Sequence, residues 1–341
     1  MDLAKQHVVL CMNYYPKNDY WFSLELEKHG VDYTIVGIPE SQRTFFYKGI
    51  LGNIYQNLYK LFRVIRIARN CTQDSVVLSM DDTATAVFSA VLLNMFGHKR
   101  TVVLMNMIDN LSNNPIKKYL YKRAFKNMYA SCANEDILQL YSTRYCEDKK
   151  RLFLLPDCYA NWGKAILEKN EPVTQGDYIF TGGSSYRDWD LFIEVARRMP
   201  NQKFVGVARK GRFDIADVPQ NCTMFFDLDG AKFGELLRNS KIVFMPINIK
   251  TQGGQIVIFQ AGLYKKAVVS TDTIAVRDYI EDGVNGGLVA FKDVDDAVET
   301  LTELAGNQSK IDQYSEGLHN TIIQCSPANF VSKLFTFLKG I

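Results

Sequence analysis

The stretch TQGGQIVIFQAGLYKKAVVSTD, Thr251 to Asp272, sets a glycine pair before an apolar helix and a strand. Gly253-Gly254 precede a helix that reads from near Gln255 to about Tyr264, and AVVST (267–271) reads as a buried strand. Immediately upstream, KIVFMPI (241–247) is another apolar run that stops at Pro246. Strand, glycine turn, helix and strand in that order form one unit of a parallel sheet. Glycine lets a ligand approach the backbone closely, and the N–H groups at a helix start attract anions.

The pattern recurs along the chain. In the first half, strands are expected at 7–13, 32–38, 75–80, 100–107, 127–133 and 151–156. In the second half they are expected at 177–183, 203–208, 222–227, 241–247, 267–271 and 286–291. These runs are nearly continuously apolar and β-branched, as in sheets covered by helices on both faces. The polar segment 161–176, with Gly and Pro and no strand pattern, is expected to be a linker. The fold class is therefore α/β, with a Rossmann-like domain over 1–160, a second over 177–325, and a cleft between the carboxyl ends of their strands. An amphipathic helix is expected at 326–341.

Composition narrows the class. The chain of 341 residues is 47% hydrophobic and 23% charged, which suits a protein with sizeable cores. Its seven cysteines are scattered, odd in number and without a Cys-x-x-Cys pair, so neither a disulfide framework nor a zinc site is expected, and a reducing cytoplasm is the simplest compartment. MDLAKQHVVLCMNYYP has too short an apolar run for a signal peptide, and no segment reaches the roughly 20 apolar residues of a membrane span. The four histidines are isolated, and no metal role is assigned to them. Residues 1–160 carry a net charge of +5 and residues 161–341 a net of −2. No recognised nucleic-acid motif accompanies the basic half.

YIFTGGSSYRDWDLFIEVARRMP (178–200) repeats the opening arrangement. A strand ends in Gly182-Gly183, a loop carries Arg187, and an amphipathic helix follows. Two glycine-opened helix starts and one arginine suit a diphosphate. From Tyr178 to about residue 305, including the closing segment YIEDGVNGGLV (279–289), the sequence resembles the donor domain of GT-B glycosyltransferases, in particular the retaining, nucleotide-sugar-dependent group 1 enzymes (family four). Residues 1–160 share only the architecture, and the resemblance implies that the helix at 326–341 packs back on the first domain.

The resemblance implies a nucleotide-diphosphate sugar as donor substrate, no bound cofactor or metal, and an acceptor held by the first domain. It places Arg187 near the family's phosphate-binding lysine, with Gly182, Gly183, Gly253 and Gly254 around the diphosphate and Lys210 and Lys250 as further cations. It also exposes a departure. Where the family carries one glutamate near the donor sugar and a second on the ribose, this chain has Gln252 and Gln260. An amide still accepts a hydrogen bond from a hydroxyl, but it brings no negative charge. In a retaining front-face reaction the leaving diphosphate helps deprotonate the acceptor, so neither glutamine need abolish turnover. The expected function is glycosyl transfer to a saccharide or lipid-linked saccharide, in cell-surface polysaccharide assembly. The alternatives are a non-catalytic nucleotide- or saccharide-binding partner subunit and a sugar epimerase.

Acceptor contacts are expected at strand ends of the first domain: Asn13, Tyr14, Asn106 and Asp109. Asp81 and Asp82 precede TATA and read either as a helix cap or as a general base. Two basic, apolar stretches stand out. In residues 47–70, Ile50, Ile54, Leu58, Leu61 and Ile65 share one helical face, with Lys60, Arg63, Arg66 and Arg69 outside that stripe. Residues 114–129 interleave Lys117, Lys118, Lys122, Arg123 and Lys126 with Tyr119, Tyr121 and Phe125. Either the apolar stripes pack into the core, or they attach the protein peripherally to an anionic membrane at the inner face of the cell membrane.

Overall fold

The computed structural model describes residues 6–15, 20–39, 49–72, 75–80, 82–95, 101–105, 114–146, 148–168, 176–183, 185–250 and 254–341. Two compact units divide the chain. The first comprises residues 1–158 and 327–341, and the second residues 159–326.

The first unit is a six-stranded parallel sheet. Its strands are β1 (Val8–Tyr15), β2 (Tyr33–Pro39), β3 (Val76–Met80), β4 (Thr101–Met105), β5 (Met128–Cys132) and β6 (Leu152–Leu154), in the order β2-β1-β3-β4-β5-β6. Val76 to Met80 are all buried, as a strand covered on both faces requires. The connecting helices are α1 (Trp21–Lys28), α2 (Gly49–Asn70), α3 (Thr83–Met95), α4 (Pro115–Ala124) and α5 (Glu135–Arg144). Right-handed crossovers send β1 to β2 in one direction and β2 to β3, β4, β5 and β6 in the other. Helices α2, α3 and α4 therefore line one face, where α3 packs between the other two. Helix α1 lies on the opposite face.

That opposite face is completed from the far end of the chain. The last helix, here α12 (Pro327–Lys339), packs against α1 and inserts Phe330, Val331, Leu334 and Leu338 among Val8, Leu10, Phe22 and Leu26. Phe337 of the same helix stacks on Phe153 with ring centroids 3.8 Å apart.

The second unit is a six-stranded parallel sheet of β7 (Tyr178–Gly182), β8 (Lys203–Ala208), β9 (Cys222–Phe226), β10 (Ile242–Met245), β11 (Ala267–Thr271) and β12 (Gly287–Val289), ordered β12-β11-β10-β7-β8-β9. Its helices are α6 (Asn161–Glu168), α7 (Trp189–Arg198), α8 (Gly230–Asn239), α9 (Gln255–Leu263), α10 (Val294–Ala305) and α11 (Gln308–Ile323). Neighbouring β7 and β10 are the switch point: β7 continues to β8 on one side, and β10 to β11 on the other. Clefts for ligands form at the carboxyl ends of such a pair.

Two expectations need correction. The segment 161–176 is not all linker, because Asn161–Glu168 is helix α6 and sets Trp162 and Ile166 against the second core. β1 runs on to Tyr15, so Asn13 and Tyr14 lie within the strand, where its register against β2 shifts between Cys11 and Tyr14.

Leu334 is fully buried under α1. Leu334→Ala should destabilise the first unit by about 2–5 kcal/mol, the range for large-to-small changes in a core. Denaturant titration read by domain-specific probes should show the first unit's midpoint falling while that of the second stays in place.

Candidate functional site

Gly182 ends β7, and Gly183 follows with a φ of 128°, a backbone open to glycine. Tyr186 takes a left-handed φ of 56°, which turns the chain so that Arg187 pairs across to Ile247 beyond β10. The two loops are joined further: Asp188 N–H donates to Pro246 O at 3.0 Å, and Asn248 N–H to Tyr186 O at 3.0 Å. Asn248 Nδ2 also donates to Arg187 O at 3.3 Å.

This frame draws Arg187 inward until it is only 5% exposed. Its Nε donates to Gly182 O at 2.7 Å, which fixes the plane of the guanidinium. Nη1 is buried with no hydrogen-bond partner, and no carboxylate among the described residues forms an ion pair with Arg187. Burial pushes its pKa down to about 10, below the ordinary guanidinium range, so it remains charged at neutral pH.

Glycine is what permits this placement. A Cβ on Gly183 would lie 3.0 Å from Arg187 Nη2, and one on Gly254 3.2 Å from Nη1. Gly254 also holds a φ of 90° at the start of α9. Among the described residues no side chain caps α9, although Asn114, Asn134, Asp188, Asp229, Asp293 and Asn307 cap α4, α5, α7, α8, α10 and α11. An uncapped helix start beside a buried, unpaired cation is a seat for an anion.

The other glycine-opened helix start is closed. Asp188 Oδ1 accepts from Leu191 N at 3.1 Å, so the N-terminus of α7 already holds a carboxylate. Gly182 and Gly183 thus serve the site by admitting Arg187, and α7 offers no second anion seat. Gln260 sits half-buried in the second turn of α9. Lys250 is exposed, with its ammonium 5.1 Å over the Phe291 ring, and Lys210 is exposed in the turn after β8. Gln252 and Gly253 lie outside the described residues.

In the first unit, Asp82 is a cap and an ion-pair partner, which removes it as a free base. It is 1% exposed and accepts from Thr85 N at 3.1 Å and Thr85 Oγ1 at 2.5 Å. Arg63, reaching in from α2, brings Nη1 to 3.0 Å from Asp82 Oδ2. Arg63 Nη2 donates to Val36 O at 2.9 Å and also to Met12 O. Arg63 is thus a structural residue that the helical pattern alone assigned to the basic exterior. Asp81, Asn106 and Asp109 lie outside the described residues, as do the side chains of Asn13 and Tyr14. Among the described residues, no cluster of His, Cys, Asp or Glu has the makings of a metal site, and no helix is long and apolar enough to cross a membrane.

Residues 180–307, from β7 to the cap of α11, match the family described as Glycosyl transferases group 1. The whole chain superposes on solved structures of that architecture. HepE from Anabaena, in complex with UDP, is 12% identical with a TM-score of 0.67, covering 98% of this chain and 100% of its own. The fold is GT-B. A glycosyltransferase from Rickettsia africae is 13% identical with a TM-score of 0.69, covering 98% of each chain. An alpha,alpha-trehalose-phosphate synthase (UDP-forming) from Burkholderia vietnamiensis is 12% identical with a TM-score of 0.71, covering 98% of this chain and 99% of its own. No curated protein matches the sequence. GT-B likeness at these identities describes the backbone, so the chemistry rests on the residues around Arg187.

The two buried arginines predict opposite responses. Asp82→Ala leaves Arg63 buried without its anion and should cost about 3–5 kcal/mol of first-unit stability. A free base would instead show lost turnover at unchanged stability. The lowered pKa of Arg187 means its charge is disfavoured in the fold at every pH below about 10, and this cost is relieved only as pH rises above about 10 toward the ordinary guanidinium value. Arg187→Met, which removes the charge and keeps the bulk, should therefore raise the melting temperature of the free protein at pH 7, read by calorimetry.

Proposed function

We propose that the protein is a glycosyltransferase that moves a sugar from a nucleotide-diphosphate donor to a saccharide or lipid-linked saccharide acceptor. The buried Arg187 Nη1, without a counter-anion among the described residues and beside the start of α9, carries this reading. A diphosphate supplies the missing anion, and the family match over 180–307 together with UDP in the HepE complex support that choice.

The chemistry follows from where charge develops. As the bond from the sugar to the diphosphate breaks, negative charge grows on the leaving oxygen. Arg187 and the N–H groups at the start of α9 are already oriented toward an anion and need little rearrangement to stabilise it. Arg187 is buried, which strengthens the interaction relative to an exposed arginine. In the retaining front-face course that the family resemblance implies, the same diphosphate assists loss of the acceptor proton. Gln260 then contacts the ribose by hydrogen bonds without charge, and Gln252 the donor sugar. Seven free cysteines support a reducing, cytoplasmic setting. Placement in polysaccharide assembly rests on the fold alone.

The two glutamines favour one other reading, a subunit that binds nucleotide and does not turn over. Calorimetry with UDP and GDP, coupled to hydrolysis assays over a panel of nucleotide sugars, separates the two. Arg187→Ala should weaken diphosphate binding by about 1.5–3 kcal/mol, the scale of a hydrogen bond to a charged group. Unaltered affinity in a folded variant would remove Arg187 from the site. Tight diphosphate binding with no turnover on any donor would identify the non-catalytic subunit.

A further inference from the structure

Helix α2 is inside out. Its inward side is Arg63, Val64 and Ile67, all buried, whereas its apolar stripe faces solvent. Leu58 is 59% exposed and Phe62 61%, and Ile54, Leu61 and Ile65 are exposed with them. The orientation is set by Arg63, whose bonds to Asp82, Val36 and Met12 fix the rotation of the helix about its axis. A monomeric surface rarely carries so continuous an apolar face without a partner.

The neighbouring helices extend it. Phe88 of α3 is exposed, and on α4 Ile116 is 69% and Tyr119 61% exposed. Since α2, α3 and α4 share one side of the sheet, these residues belong to one surface. Charge is distributed in a one-sided way. Residues 41–73 and 110–134 contain no Asp or Glu. Helices α2 and α4 both run against the strands, so their C-terminal ends lie at the same edge, and exposed Arg66, Arg69, Lys122 and Arg123 collect there. Beside α4, a cavity of about 570 Å³ adds Lys126 and Arg151, with Asp148 as the one acid among the described residues of its lining.

We infer that the outward face of α2, with α4, docks on an anionic lipid surface, its apolar stripe entering the interface and its basic edge meeting the headgroups. An apolar helix face with a basic edge has this complementarity. A symmetric contact between two copies would set the acid-free faces against one another with no anion to balance them. Nucleic acid would leave the apolar stripe without a partner. The inference is independent of the transferase chemistry, because it uses no residue of the Arg187 site.

Co-sedimentation of the full chain with phosphatidylglycerol–phosphatidylcholine vesicles, and with phosphatidylcholine alone, tests it. Binding to the anionic vesicles is expected at 50 mM salt, with release at 500 mM and little binding to phosphatidylcholine. Each basic residue near the surface contributes on the order of fivefold, so Lys118→Gln/Lys122→Gln/Arg123→Gln should weaken binding roughly a hundredfold. Leu58→Glu/Phe62→Glu should abolish it, with an unchanged thermal melt confirming the fold, since both side chains are exposed. Failure to bind anionic vesicles at low salt overturns the proposal, as does binding that neither variant changes. A wild-type dimer that Leu58→Glu/Phe62→Glu converts to monomer, in sedimentation velocity and without vesicle binding, assigns the face to a second copy instead.

Discussion

A guanidinium removed from water needs an anion or a full set of acceptors, and each domain buries one where its strand order reverses. In the first domain the need is met within the protein. Arg63 finds Asp82 and two strand carbonyls, and the result is a closed junction between β1, β2, α2 and α3. In the second domain Arg187 receives one carbonyl and, among the described residues, no carboxylate. The same fold feature is thus mortar on one side and a receptor on the other. Much of the surrounding detail follows from the second case: glycines that let the side chain in, an antiparallel bridge to Ile247 that holds its backbone, and an uncapped α9.

Leaving a charge unsatisfied opposes folding, so the domain must supply the cost elsewhere. Its resources are visible in the packing. Phe180, Val243, Val268 and Ile258 are fully buried on one side of the sheet, and Phe192, Phe204, Ile242 and Phe244 on the other. A strong two-sided core is what allows the carboxyl end of the sheet to remain electrostatically incomplete.

The strands were legible because Val, Ile, Leu and Phe run without interruption through segments such as 75–80 and 241–247, and only burial on both faces tolerates that. The glycine turns and Arg187 were legible because a glycine pair closes β7, another opens α9, and an arginine lies in the loop between β7 and α7. Residues whose meaning depends on a distant partner were not. Asp82 fits a cap or a base equally until Arg63 is seen reaching it from α2, and no local pattern links positions so far apart. The apolar stripe of α2 gives the period of a helix but not which side the sheet takes, and one buried arginine reversed the usual choice. Helix α6 was hidden by Gly163, which the close ring of Tyr159 demands: a Cβ there would fall 2.4 Å from that ring.

The first domain is assembled from both ends of the chain, whereas the second is continuous in sequence. A ribosome therefore releases them in an unusual order of completion. Six strands emerge first, but the face over α1 stays open until Phe330, Val331, Leu334 and Leu338 leave the exit tunnel. By then every strand of the second domain is already outside. The domain begun first is finished last, and its uncovered apolar face is the longest-lived hazard of synthesis.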